Sequence, residues 1–287
     1  MTRSRLWWYT YGPAILFLSA CGLAPGNVIR GSGRVASETR SASGFNEIEV
    51  CCGMQLILSQ GQSETLEIEA EDNILPEIVS EVSGSKLSLH FDNPSGMKSY
   101  RLTRPVRILV SAVEIRGLVV SGGGNLEAGP FESDQLSLDL SGGSKAELQT
   151  LAADRLEVEV SGGGRFSVQD LQASTVSLDL SGGSSASIQS LGGESLELEA
   201  TGGGTVDVDG SVTSQSISLS GGSDYQAADL ESQEAEIRMT GGGQAAVWVN
   251  ESLDADLSGG ARLEYFGSPQ ITQQLSGGSS IESRGDR

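Results

Sequence analysis

The sequence predicts an all-β chain wound into a parallel β-helix, a β-solenoid of ~20-residue Ser/Thr-Gly-Gly turns. Three observations predict it. First, Ser or Thr followed by two glycines recurs nine times, opening at Ser121-Gly122, Ser141-Gly142, Ser161-Gly162, Ser181-Gly182, Thr201-Gly202, Ser220-Gly221, Thr240-Gly241, Ser258-Gly259 and Ser276-Gly277. The spacings are 20, 20, 20, 20, 19, 20, 18 and 18 residues. A fixed period of that size means that each unit buries its apolar side only by stacking on its neighbours. Second, the segment before each glycine pair alternates strictly: Leu136, Leu138 and Leu140 with Ser137 and Asp139, then Leu156, Val158 and Val160 with Glu157 and Glu159. Period two places one face in a core and the other in water. Third, a second short alternating strand follows each pair, as in Ala146 and Leu148 or Phe166 and Val168, and no segment carries a helical period.

The glycines mark corners that need positive φ or a close approach of neighbouring backbones. Ser and Thr at the head of each corner are expected to stack as a hydroxyl column that satisfies corner backbone groups. Turns about 4.8 Å apart give nine of them a length on the order of 40 Å. Corner types alternate, with a third glycine after Gly123, Gly163, Gly203 and Gly242 but serine after Gly143, Gly183 and Gly222, a forty-residue superperiod that suggests growth by duplicated pairs. Residues 117–287 are the regular repeats. Residues 45–116 show the same strand chemistry without the glycine signature (Ile48 and Val50, Leu66 and Ile68, Leu87 and Leu89) and are expected to form amino-terminal capping turns. Residues 21–44, polar and rich in Ser, Gly and Arg, read as a tether. The tail Arg284-Gly285-Asp286-Arg287 puts charge where open strands would recruit other chains.

The amino terminus carries an address. Arg3 and Arg5 precede the mostly apolar run Leu6 to Leu18, too short for a permanent span and suited to a signal peptide over residues 1–20. Leu18-Ser19-Ala20-Cys21 matches a bacterial lipobox, with small residues before a cysteine that takes the diacylglyceryl group. Lipid on Cys21 would make the membrane a partner without a spanning helix, and Gly22, which is not aspartate, favours the outer membrane. Formal charge is −20; without Arg3 and Arg5, 16 basic groups face 38 acidic ones, a balance of −22. With no basic patch to displace counterions, nucleic acid is excluded as a partner. Cys51 and Cys52 are adjacent on a strand, where neighbours face opposite ways, so one buried and one surface thiol are expected, with a vicinal disulfide as the alternative.

Chemistry is hard to find. His90 is the sole histidine, and neither a nucleophile elbow, zinc ligands nor a P-loop is present. Neither a cofactor nor a catalytic residue is expected. Some parallel β-helices hydrolyse glycans with paired acids, so a glycosidase-like enzyme is the alternative on this scaffold. Asp139, Glu159, Asp179 and Glu199 each lie two residues before the Ser/Thr and should stack outward, either as a solvated acidic face or as a calcium-bridged column that Ser218 and Arg238 interrupt. The integrin-type Arg284-Gly285-Asp286 is read as coincidence.

Phe45-Asn46-Glu47-Ile48-Glu49-Val50, Glu71-Asp72-Asn73-Ile74-Leu75, the serine-glycine turns and the closing Leu263-Glu264-Tyr265-Phe266-Gly267-Ser268-Pro269 together resemble the putative auto-transporter adhesin, head GIN domain family. The resemblance runs from about Phe45 to the end of the repeats, and departs in its doubled glycines, where many members have Gly-Ser-Gly, and in its extra turns. It implies a right-handed parallel β-helix in an exported, often lipid-anchored envelope protein without established activity. The expected function is that of a cell-envelope lipoprotein with a non-catalytic structural or adhesin-like surface, meeting envelope or extracellular glycan or protein.

Overall fold

A computed structural model of the chain describes residues 27–93, 96 and 98–286. The expected signal peptide and lipobox, Leu18 to Cys21, lie outside the described residues. Those that are described form 21 strands and one 3-10 turn, Leu75–Glu77, and no α-helix. They build the predicted parallel solenoid. From Lys145 on, each coil is one long bent strand: Lys145–Val160, Arg165–Gly182, Ser185–Gly202, Thr205–Gly221, Asp224–Gly241 and Gln244–Gly259. Each pairs in parallel with the next, and Arg262–Phe266, Gln270–Leu275 and Ser280–Ser283 follow at the carboxyl end.

Alternation along the chain becomes columns along the stack. Leu138, Val158, Leu178, Leu198, Ile217, Ile237 and Ala255 align in register and are all buried. The column Leu140, Val160, Leu180, Ala200, Leu219, Met239 and Leu257 runs beside it. Burial of each large aliphatic contributes roughly 1.5–3 kcal/mol, and every one is covered by the coils on either side.

The alternation of corners has a side-chain packing reason over its first two periods. Where the strand ends in valine, at Val120 and Val160, the fourth corner residue is Gly124 or Gly164, and a Cβ there would stand 2.9 Å from the valine Cγ1. Where it ends in leucine, at Leu140 and Leu180, that residue is a buried serine, Ser144 or Ser184. Ser144 Oγ donates to Ser141 O (2.6 Å), and Ser184 Oγ donates to Ser181 O (2.8 Å) and to Val160 O of the coil below (3.0 Å). The corner is therefore satisfied mainly by this fourth residue. The leading Ser and Thr do stack as a column, and what is corrected is its expected role, because among them only Ser258 donates from its side chain to corner groups, to Met239 O and Thr240 Oγ1 at 3.4 Å.

The shorter coils lose residues elsewhere. Register shifts fall between Ile188 and Leu191, between Asp207 and Gly210, between Ala227 and Glu231 and between Ser232 and Glu234, on the far side from the Ser/Thr-Gly-Gly corners, which stay aligned.

The amino-terminal part mixes directions. Glu47–Val50 stacks in parallel between Lys86–Phe91 and Gly117–Val120, and Gln55–Gln60 between Arg107–Ala112 and Asn125–Ala128. Three antiparallel pairings cover this end: Val35–Arg40 on Thr65–Glu71, Thr65–Glu71 on Arg107–Ala112, and Ile78–Ser83 on Lys86–Phe91. Of the tether expected over 21–44, the part from Asn27 to Arg40 is corrected, since Asn27–Arg30 and Val35–Arg40 are strands, the first paired in parallel with Lys98–Arg101; residues 21–26 lie outside the described residues. Ile29 and Ala36 pack half-buried against the core, and polar clamps hold the rest. The Arg40 guanidinium donates to Ile78 O (2.6 Å) and Leu75 O (2.9 Å). The buried Glu71 carboxylate accepts from Gly33 N (2.7 Å), Thr103 N (3.1 Å) and Thr103 Oγ1 (2.5 Å). Those hydrogen bonds, led by the Thr103 hydroxyl, hold its pKa below 4.5.

Candidate functional site: a polar groove across the coils

Within each long strand the alternation breaks where successive side chains both leave the core, fully exposed at Gln149-Thr150 and Asp154-Arg155 and half-buried at Asp209-Gly210, and the strand bends there. Just past the second bend, in register, stand Thr175, Ser195, Ser214, Glu234, Ser252 and Gln270. Two residues further along each strand come Glu197, Ser216, Glu236, Asp254 and Thr272. These columns line an open groove of about 780 Å³ that crosses successive coils, and its lining includes no aromatic ring.

The groove floor departs from the aliphatic pattern. Gln215 occupies the place held by Leu196 below and Ala235 above, and is 2% exposed. Its Nε2 donates to Ser232 Oγ (2.8 Å), its Oε1 accepts from Tyr225 OH (3.0 Å), and Ser232 Oγ donates to Trp248 O (2.9 Å). Burial raises the Tyr225 phenol pKa, so it stays a neutral donor. Sequence reasoning missed this network, although a glutamine in a column of Leu and Val was its visible signal. A second depression, of about 650 Å³, lies toward the amino end among Glu114, Arg116, Glu132, Asp134 and Asp154.

Hydroxyls, amides and carboxylates at every coil offer repeated hydrogen bonds to an extended polar ligand. Glu197 and Glu236 are two coils apart, roughly 9.6 Å at the usual strand spacing, and the groove is open along its length.

The corner residues Ser181, Thr201, Ser220, Thr240 and Ser258 stack in register. Ser121, Ser141 and Ser161 donate their N–H groups to Val50 O, Val120 O and Leu140 O one coil below (3.0, 3.0 and 2.8 Å). Gly142 sits close over Gly122, and Gly162 over Gly142; an added Cβ would meet the glycine nitrogen below at 3.3 and 3.4 Å. Gly182 and Gly202 pair directly. Asp139, Glu159, Asp179 and Glu199 align in that order, followed by Ser218 and Arg238. Among the described residues no group of three or more His, Cys, Asp or Glu converges to hold a metal ion. His90 is exposed opposite Val79.

Cys51 and Cys52 are joined by a disulfide. This corrects the expected pair of one buried and one surface thiol, because the two residues sit at a turn and not on a strand; neither is buried. Arg284-Gly285-Asp286 is tied to the last coil: Arg284 pairs with Glu264 and Glu282, Gly285 O accepts from Gly267 N (3.0 Å), and Ser268 Oγ donates to Asp286 (2.7 Å).

A family model described as putative auto-transporter adhesin, head GIN domain, matches residues 44–170 and again residues 157–269. Solved structures share the fold. A putative lipid binding protein from Parabacteroides distasonis has a TM-score of 0.71 at 20% identity, over 90% of this chain and 99% of that one. A putative adhesin from Parabacteroides merdae gives 0.68 at 19%, over 90% and 99%, and another from P. distasonis gives 0.66 at 20%, over 90% and 100%. No functionally described protein is similar in sequence. Among the described residues no helix is long and apolar enough to cross a membrane.

Proposed function

From the chain's membership of the putative auto-transporter adhesin, head GIN domain family, we propose that it is a non-catalytic, adhesin-like module of the bacterial cell envelope. Lipid on Cys21 anchors it, and the coil stack presents the groove between Thr175 and Thr272 to an extended polar polymer, an envelope or extracellular glycan. The observation that carries this reading is the repetition in register of hydroxyl, amide and carboxylate groups across successive coils. A linear polymer meets a polar contact at every step, whereas a compact substrate would use only a few of them.

The test is a glycan array with the full-length chain and with Ser216→Trp, which fills the exposed middle of the groove, followed by a reducing-end assay on each glycan bound. Binding that Ser216→Trp abolishes, without new reducing ends, supports the reading. Release of reducing ends would replace it with the glycosidase alternative, and binding indifferent to Ser216→Trp would remove the groove from it.

A further inference from the structure

The corner column contains its own control. Val50 pairs with Val120 and Gln55 with Asn125, so Cys51-Cys52-Gly53-Met54 fills in its coil the place of Ser121-Gly122-Gly123-Gly124 in the next. Both corners turn the same way: φ is 67° at Cys52 and 74° at Gly53, against 59° at Gly122 and 77° at Gly123. Each of the nine later corners places glycine where Cys52 stands. Cys52 is also the one non-glycine residue with positive φ among the described residues. That conformation is unfavourable for any residue with a Cβ, so the turn is easier to make without this cysteine pair.

Nor is the disulfide needed to hold the coil. On either side of it Ser121 N donates to Val50 O (3.0 Å) and Asn125 N to Met54 O (2.9 Å), the same contacts that fix the later corners. A backbone outlier kept where a relaxed residue would serve points to function rather than to folding. Cys51 is half-buried and Cys52 exposed, so a thiol in solution reaches the sulfur.

We propose that Cys51–Cys52 is a thiol-exchange site whose substrate is a dithiol reductant. A thiolate of the reductant attacks Cys52 Sγ, forming a mixed disulfide. The Cys51–Cys52 bond breaks, and Cys51 leaves as a thiolate that takes a proton. The second thiol of the reductant then attacks the mixed disulfide and releases Cys52 as a thiol, while the reductant closes to its cyclic disulfide. Two electrons and two protons pass to the protein, and an oxidised dithiol reverses the sequence. The rod stays folded throughout.

The experiment titrates dithiothreitol against the native full-length chain, traps thiols by alkylation and reads the tryptic peptide. No Lys or Arg lies between Arg40 and Lys86, so trypsin releases Cys51 and Cys52 together and apart from Cys21. The expected result is two alkylated cysteines with circular dichroism and melting temperature unchanged, and return to the disulfide on adding oxidised dithiothreitol. The variant Cys51→Ser/Cys52→Gly restores the common corner and should melt no lower than the parent. A pair that resists reduction until the chain unfolds, that is found as free thiols before any reductant is added, or whose Ser-Gly replacement melts well below the parent would overturn the proposal.

Discussion

Three glycine-to-alanine substitutions separate the two reasons for glycine in a solenoid corner. Gly183 has no positive φ and nothing within 4 Å of an added Cβ. Gly123 has φ +77° and equally open space. Gly221 has φ +83°, and an added Cβ would lie 2.5 Å from Gly202 O and 3.3 Å from Gly202 C. Gly183→Ala should therefore be nearly silent. Gly123→Ala should cost about 1–2 kcal/mol, the penalty of a Cβ in the left-handed region. Gly221→Ala carries that penalty and must also displace a carbonyl that accepts from Gly222 N at 2.7 Å. Losing that inter-coil bond adds about 1 kcal/mol, for roughly 2–3 kcal/mol in total. At about 2–4 °C per kcal/mol for a domain of this size, its melting temperature should fall by on the order of 8 °C. Thermal melts followed by circular dichroism rank the three. Gly221→Ala melting no lower than Gly123→Ala would refute the close-approach reasoning, and a damaging Gly183→Ala would refute the conformational one.

Three further outcomes are expected. Glu71 has its pKa lowered in the fold, so its contribution is present above the unfolded value of about 4.5 and is lost as pH falls through the depressed folded one; amide protection factors in residues 27–40, taken against the intrinsic exchange rate at each pH, should fall at low pH, and Glu71→Gln should lower them already at pH 7. Gln215→Leu matches the aliphatic column but leaves the Tyr225 hydroxyl without its acceptor, costing about 1–3 kcal/mol, and adding Tyr225→Phe should recover most of it in chemical denaturation; if the double variant is as unstable as the single, the hydrogen bond is not the cause. Neutralising Glu159 with glutamine removes a carboxylate stacked between Asp139 and Asp179 and should raise the melting temperature at low salt and not at high salt; calorimetry showing calcium heat with the parent would instead favour cation bridging.

The regular half of the rod was legible because two periods, two and about twenty, fix both the facing of each side chain and its neighbour one coil away. That is why Asp139, Glu159, Asp179 and Glu199 could be placed in one column before any coordinates. Pairing direction was not legible at the amino end, since Leu66 and Ile68 alternate in the same way whether their neighbour runs parallel or antiparallel. Val35–Arg40 escaped because its exposure pattern has no fully buried residue, and Ala36 alone of its apolar side chains packs half-buried on the core. The turn at Cys51-Cys52 needed the register of Val50 with Val120 before its kinship with the glycine corners could be seen. The groove itself is shaped by the bends, whose residues vary from coil to coil.

Because coils of 18, 19 and 20 residues differ only along the stretch opposite the corners, the glycine seam acts as a datum line and the opposite edge as a margin. Insertions or deletions at that margin reshape local relief without changing where the following coil begins. Lineages of this molecule, and anyone redesigning it, can therefore vary the contour of the groove wall and the reach of the rod separately, the first by single residues and the second by whole coils.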